Sequence, residues 1–439
     1  MKDRALLWAS ALIIAQHLFF IAVFSPVFEP DSVYYAELGR TLASTLSFDS
    51  TVRLPGYPAI LALSYRFFGP GDLPVVIFQH LLGLTSFFVL LQLVPGRRPK
   101  LLFSAFVFCD LLYTSYQHAI LPEAVFAFLL CMSGIEFHKY VKTRSWPRLL
   151  ACGAYIAAGI FMKPVLKFFP ALVLLLLALE NRTLRQKLTA ACLLLAIPLL
   201  AMGGWSLHNY RQKGVFALLP FESVHYVGRF VTHIEFPEGS LAREPFLRRI
   251  AAFPPGTPIE VRRRLARDVI AEMKAGGMKD ADINKEFAGV TKLSVLRHPF
   301  IYAKETLTEM FYFFFSAHNL YAKHSLKDFL PVSVREAIRA GDWGKVFLKV
   351  ALSLHPLYWL LFLLSIYFTA LNWRQAVSGS APLLSYAYAA IFYIASISCL
   401  VNEGLARYRL PLQPFMIFMA ALALDRLLPG RTEEGEALK

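Results

Sequence analysis

Six ionisable residues carry the chemistry that this sequence suggests. Asp31 and Glu123 are acids; Arg53, Lys163, Arg211 and Arg409 are bases, and each stands at or just beyond the end of an apolar run. A carboxylate takes a proton from a hydroxyl, while guanidinium and ammonium groups hold phosphate. Together they are the equipment for moving a group from an anionic carrier to a hydroxyl. Glu29, Tyr57, Arg407 and Tyr408 join the substrate-binding candidates, because they sit beside these residues in "FEPDSVYYAELGRTLASTLSFDSTVRLPGYP" (28–58) and "NEGLARYRLPLQP" (402–414).

Each position also has a plainer explanation. Asp31 or Ser32 suits the N-cap of an amphipathic helix over "SVYYAELGRTLAS". Glu29 reads as a solvated loop acid, and Glu123 as an acid favoured by the dipole of a helix start. Arg53 and Lys163 are long enough to snorkel. Glu403 and Arg407, four apart, would pair along one helix. What these explanations leave unaccounted for is that all the residues fall on one side of the membrane.

That side follows from the elements around them. The chain has 439 residues, 56% hydrophobic and 17% charged, with mean hydropathy +0.50. Soluble domains are about a quarter charged, so the solvent here is a bilayer. Apolar runs near 5–24, 73–94, 101–119, 121–140, 149–162, 165–179, 188–207, 346–371, 382–401 and 410–428 give about ten transmembrane helices, an all-α polytopic fold. The basic residues of "PGRRPK" (95–100), "HKYVKTRSWPR" (138–148) and "ENRTLRQK" (180–187) place those loops, and both termini, in the cytoplasm. The segments 25–72, 118–122 and 163–164 then face outward. Residues 1–207 form an N-terminal transmembrane catalytic module, 208–345 an external or interfacial region of short helices, and 346–439 the last helices with a cytoplasmic tail. The apolar part of 301–321 is short and charge-flanked, which suits an interfacial or re-entrant helix.

A net charge of +15 raises the question of nucleic acid, but in a membrane chain its distribution is what matters, and no nucleic-acid partner is expected. All five cysteines lie within apolar runs as small hydrophobes. The sequence holds no P-loop or nucleotide-sugar fingerprint. No cofactor is expected; a divalent metal on Glu29 and Asp31 is the less favoured alternative. Asp110, within an apolar run and near Tyr113, reads as an acid hydrogen-bonded inside the bundle.

"EPDSVYYAELGRTL" and "RLPGYPAILAL" resemble the first external loop of the C-type glycosyltransferase superfamily, which includes the protein O-mannosyltransferases and the lipid A aminoarabinose transferases. "LPEAVFAFLL" (121–130) is similar to its second acidic loop and "AAGIFMKPVLKFFP" (157–170) to its basic-Pro turn. "GGWSLHNYRQKGVFAL" (203–218) and "EGLARYRLPLQPFMIFMAALAL" (403–424) follow in the family's order. The resemblance implies a membrane enzyme using a polyprenyl-phosphate sugar on the outer face, in a bacterial inner membrane. It implies Asp31 as the acid that activates the acceptor, Glu123 as a second acid, and Arg53 near the donor phosphate. Two departures stand out. Pro30 separates Glu29 from Asp31 where the mannosyltransferases have adjacent acids, and Arg53-Leu54-Pro55-Gly56 replaces the Lys-Pro-Pro of the aminoarabinose transferases. The acceptor (glycolipid, glycan or protein) stays open. So do two other readings: a flippase or exporter of lipid-linked saccharides, and an envelope polysaccharide polymerase or ligase.

Overall fold

The computed structural model describes residues 3–180, 182–221, 227, 233–254, 265–315, 334–343, 346, 355–377, 381–401 and 405–429. These stretches are mostly helical, with no strand among the described residues. In order come α1 Arg4–Val23, α2 Pro30–Thr45, α3 Gly56–Phe68, α4 Leu73–Leu93, α5 Arg97–Cys109, α6 Leu111–Gln117, α7 Glu123–Thr143 and α8 Trp146–Met162. They are followed by α9 Phe169–Ala178, α10 Leu184–Lys213, α11 Arg243–Ala251, α12 Leu265–Ala275, α13 Asp280–Arg297, α14 Pro299–Phe315 and α15 Val334–Arg339. The chain closes with α16 His355–Val377, α17 Pro382–Val401, α18 Ala406–Arg409 and α19 Gln413–Leu427. Single 3-10 turns, Pro164–Phe168 and Leu410–Leu412, lead into α9 and α19.

Among the described residues six helical segments are long and apolar enough to cross a membrane: α1, α4, α7, α10, α17 and Arg407–Leu427, with Trp146–Met162 and Pro164–Ala178 as shorter apolar helices. The polytopic all-α architecture is as the sequence implies. The run expected as one span over 101–119 is instead broken at Asp110, between α5 and α6. Its Oδ1 accepts the Tyr113 backbone N–H at 3.1 Å, so the acid ends one helix and caps the next. This is the side-chain competition with the backbone that makes Asp a helix starter.

The main core joins α4, α5, α7, α8, α9, α17 and α19, around Phe87, Phe103, Phe137, Tyr386 and Phe415. Leu7, Trp8 and Leu12 of α1 and Leu199 and Leu200 of α10 point outward, as expected of helices whose backbone is satisfied internally and whose surface meets lipid. A second core, with Tyr35, Tyr57, Leu61, Tyr116 and Ile120, lies under the first loop. The region between α10 and α14 has its own core of Phe246, Val269, Ile270, Ile283 and Phe287, against which Val52 packs. Helix α14 instead inserts Phe313 into the main core. Its outward face carries Phe300, Ile301, Leu307 and Phe311.

Candidate active site

The first loop is pinned before it reaches its acids. Val27 forms a parallel bridge with Ala119; its N–H donates to the His118 carbonyl at 3.1 Å, and its own carbonyl accepts from Ile120 N–H at 3.0 Å. Gln79, fully buried, donates to the Gln117 and Ala119 carbonyls at 2.9 and 2.8 Å. These contacts tie the start of α2 to the corner preceding Glu123. Residues some ninety apart in sequence thereby meet at one end of the bundle.

Glu29, not Asp31 or Ser32, is the N-cap of α2; its backbone N–H donates to Ser32 Oγ at 2.9 Å, and Pro30 opens the first turn. Asp31 is therefore released from capping and lies in that first turn. Arg53 Nη2 donates to its Oδ1 at 2.8 Å and Arg407 Nη2 to its Oδ2 at 2.5 Å. Burial pushes the Asp31 carboxyl up. The adjacent Arg407 and Arg53 guanidinium groups outweigh that and hold it well below the usual carboxylate range.

The Pro-Gly-Tyr-Pro turn has a steric purpose. A Cβ on Gly56 would stand 2.5 Å from the Phe161 carbonyl oxygen, so only glycine lets α3 start against the end of α8. That contact sets Lys163, the residue just past α8, close to the first loop. Lys163 Nζ donates to Glu123 Oε1 at 2.8 Å and lies 4.9 Å from the Tyr408 ring centroid. Arg407 Nε is 3.9 Å from the same Glu123 oxygen, and its guanidinium lies 5.1 Å from the Tyr408 ring. Arg407 thus spans both acids, with Tyr408 between it and Lys163.

The structure brings together Asp31, Arg53, Glu123, Lys163, Arg407 and Tyr408. Other candidates lie apart from this cluster. Tyr57 is fully buried, with its hydroxyl donating to Gln79 Oε1 at 2.9 Å and its ring edge-on to Tyr35; it supports the loop from below. Arg409, placed beside the phosphate by sequence alone, instead donates to the Phe313 and Phe314 carbonyls at the end of α14. Arg407 stands in its place, because residues two apart on a helix point about 200° away from each other. Arg211 is exposed on the last turn of α10. Glu403, and with it the expected Glu403–Arg407 pair, lies outside the described residues.

Two residues escaped the sequence reading. Ser50 Oγ accepts the Arg53 N–H at 3.0 Å, and Lys213 Nζ donates to the Ser50 carbonyl at 2.9 Å. A Ser three residues before an Arg in a polar loop is an ordinary turn signal, but nothing local announces the partnership of Lys213. Among the described residues no group of three or more His, Cys, Asp or Glu is arranged to hold a metal ion. Inside the cluster itself, Glu123 Oε2, Arg53 Nε and Arg407 Nε are buried with no hydrogen-bond partner. A buried polar group left unmatched costs about 1–3 kcal/mol, and here one acceptor and two donors lie close together with hydrogen-bonding capacity unused by the protein.

Residues 52–205 match the family model of the dolichyl-phosphate-mannose-protein mannosyltransferases. No curated protein matches the chain. Among solved structures it is similar to the archaeal oligosaccharyltransferase AglB from Archaeoglobus fulgidus, in complex with an inhibitory peptide and a dolichol-phosphate. That likeness has 13% identity and a TM-score of 0.47, and covers 97% of this chain and 52% of that one, so the chain spans about half its length. It is similar too to ArnT from Cupriavidus metallidurans, at 14% identity and TM-score 0.40 in the apo state, covering 92% of this chain and 78% of that one. Against ArnT bound to undecaprenyl phosphate the figures are 15% and 0.38, covering 95% and 78%. The resemblance to the C-type glycosyltransferase superfamily thus holds over residues 52–205, through its dolichyl-phosphate-mannose-protein mannosyltransferase family.

Proposed function

We propose that this protein is an integral-membrane glycosyltransferase that moves a sugar from a polyprenyl-phosphate donor to an acceptor hydroxyl. The orientation that puts the basic loops in the cytoplasm gives the reaction to the external face of the membrane. The observation that carries the reading is the trio of unmatched buried atoms, Arg53 Nε, Arg407 Nε and Glu123 Oε2, around an Asp31 gripped by both arginines. Two guanidinium groups and an ammonium against two carboxylates leave one net positive charge, which suits a phosphate monoanion or diester.

The chemistry then divides among these residues. The phosphate of the donor is a good leaving group and needs charge stabilisation rather than a strong acid, which Arg53, Arg407 and Lys163 supply without exchanging protons. As phosphate oxygens engage the arginines, Asp31 gives up contacts and its carboxylate becomes free to accept the acceptor's proton. The acceptor oxygen bonds to the anomeric carbon while the bond from that carbon to the phosphate oxygen breaks. One displacement inverts the anomeric centre, and nothing in the cluster calls for a covalent sugar–enzyme intermediate.

Mass spectrometry of envelope lipids and glycans from cells carrying the native protein or Asp31→Asn tests the proposal. The expected result is loss of one sugar from an acceptor with accumulation of its polyprenyl-phosphate form, which also names both substrates. Unchanged products with a folded, expressed variant would overturn the catalytic role of Asp31. Accumulation of an intact lipid-linked saccharide on the inner leaflet would point to transport instead.

A further inference from the structure

Arg53 reaches Asp31 from a turn that has little regular structure of its own, and what holds that turn lies 160 residues downstream. We propose that Lys213 is a positioning residue of this site: it fixes the backbone of the 49–53 turn and, through it, the direction of the Arg53 guanidinium. The inference rests on the reading of Arg53 as a phosphate holder.

The placement of Lys213 is built by the end of α10. Gly214 stops the helix in the left-handed conformation, at φ +71°, and its N–H caps the Tyr210 carbonyl. Glycine takes that conformation without the Cβ penalty other residues meet. The Asn209 amide donates to the Ala217 and Leu218 carbonyls at 2.8 and 3.1 Å and folds the outgoing chain back. Trp205, about two helical turns earlier, lies 5.8 Å from the Phe48 ring and 6.2 Å from the Phe161 ring. The last turn of α10 is therefore clamped to the first loop, with Lys213 at the contact.

From there the contacts run to Arg53 without a gap. Lys213 Nζ donates to the Ser50 carbonyl at 2.9 Å and pairs with Asp49 Oδ1 at 2.7 Å. The Asp49 side chain is 83% exposed, so the ion pair is well hydrated and the Ser50 carbonyl is the anchor that matters. Ser50 Oγ accepts from Val52 N–H at 3.3 Å and Arg53 N–H at 3.0 Å, and shares a hydrogen bond with Tyr34 Oη at 3.2 Å. The Thr51 carbonyl accepts from Phe221 N–H at 3.3 Å. Arg53 then needs only its own rotamer to meet Asp31. An ammonium with three donors on a flexible stem can serve the carbonyl and the carboxylate at once. Arg211, about 200° around the helix, cannot replace it.

Binding of undecaprenyl phosphate to the purified full-length protein tests this without reference to turnover. Lys213→Met is expected to bind about tenfold more weakly, the effect of losing one charge-assisted hydrogen bond. Lys213→Arg should retain near-native binding, and Ser50→Ala should weaken it by the same route, which serves also if Lys213→Met fails to fold. In an Arg53→Ala background, Lys213→Met should add no further loss. A full additional loss there, or native affinity in a folded Lys213→Met, would overturn the positioning role while leaving the site reading intact. A native protein that does not bind undecaprenyl phosphate would sink the site reading, and this inference with it.

Discussion

The two ends of the bundle hold the same kinds of residue and treat them differently. At the end away from α2, Arg144 pairs with Glu180 at 2.6 Å and Arg148 with Glu136 at 3.0 Å, with the arginine side chains 55% and 49% exposed. At the site end, Arg53, Arg407 and Lys163 are only 16%, 19% and 15% exposed. The acids Glu136, Glu180 and Glu123 are buried in either case. What differs is the hydration of these cations, with one exception at the far end: Arg182, paired with Glu180 at 2.8 Å, is only 5% exposed. A guanidinium whose head reaches water costs little to retain and gains little from its acid. One removed from water needs its partners, and each unmatched N–H there is a standing cost. The exposed pairs of the far end fasten helices together; on the proposed function, the site end keeps its charge for a substrate.

The sharpest way to break this comparison is to neutralise one acid at each end. Asp31→Asn should lower turnover by about 10²–10⁴-fold, the usual contribution of a general base, in a protein that still folds. Steady-state transfer rates on the purified protein check this. If Asp31→Asn kept full turnover while Glu123→Gln abolished it, the base would be Glu123, whose Oε2 is already unmatched.

Next in size comes the choice between Arg407 and Arg409. Arg407→Lys keeps a charge but cannot reach Asp31 and Glu123 together, so turnover should drop by about 10-fold or more, with a raised KM for the donor. Arg409→Lys, whose parent side chain holds the last carbonyls of α14, should chiefly lower the melting temperature. The opposite split of KM and stability would exchange the two roles.

Gly56→Ala is a structural break with a smaller effect. Its Cβ would meet main-chain atoms of Phe161 at 2.5 and 2.7 Å, which cannot rotate away as a side chain would. A cost of about 1–3 kcal/mol is expected, and it should fall on the α3–α8 contact that sets Lys163. Thermal melting gives the first quantity and the donor KM the second. A variant with native values in both would mean that this contact does not set the site.

These expectations also mark how far the sequence could be read. The all-α polytopic fold and the meeting of Asp31, Arg53, Glu123 and Lys163 at one end of the bundle were legible, because hydropathy and charge act over windows of twenty residues; which acid pairs with which base was not. The identity of Arg407 as the link between Asp31 and Glu123 was not. Choosing between Arg407 and Arg409 needs the rotation of a four-residue helix, which packing against α14 and the first loop decides. Asp110 was legible as a buried acid but not as a helix break, since apolar residues continue on both sides. Tyr57 read as a binding residue because it sits in the motif; its hydroxyl direction depends on Gln79, twenty-two residues on. Lys213 was hidden for the same reason at greater range.

The smallest expected effects concern pH and the far end, and they test the comparison where it predicts nearly nothing. The Asp31 carboxyl is depressed in the folded protein, so its ion pairs contribute fully above the ordinary carboxylate value of 3.8 and are lost only as pH falls toward the depressed one. Between pH 7 and 5 neither the melting temperature nor turnover should respond to Asp31, and Asp31→Asn should leave the shape of any residual profile in that window unchanged. Glu136→Gln, at the far end, should cost about 1 kcal/mol or less, because Arg148 and Lys139 can turn to water, and should leave turnover and donor KM alone. A far-end variant that altered donor KM would show that charge at the two ends is coupled through α7, which carries both Glu123 and Glu136. The distinction between fastening and reserved charge would then give way to one continuous electrostatic helix.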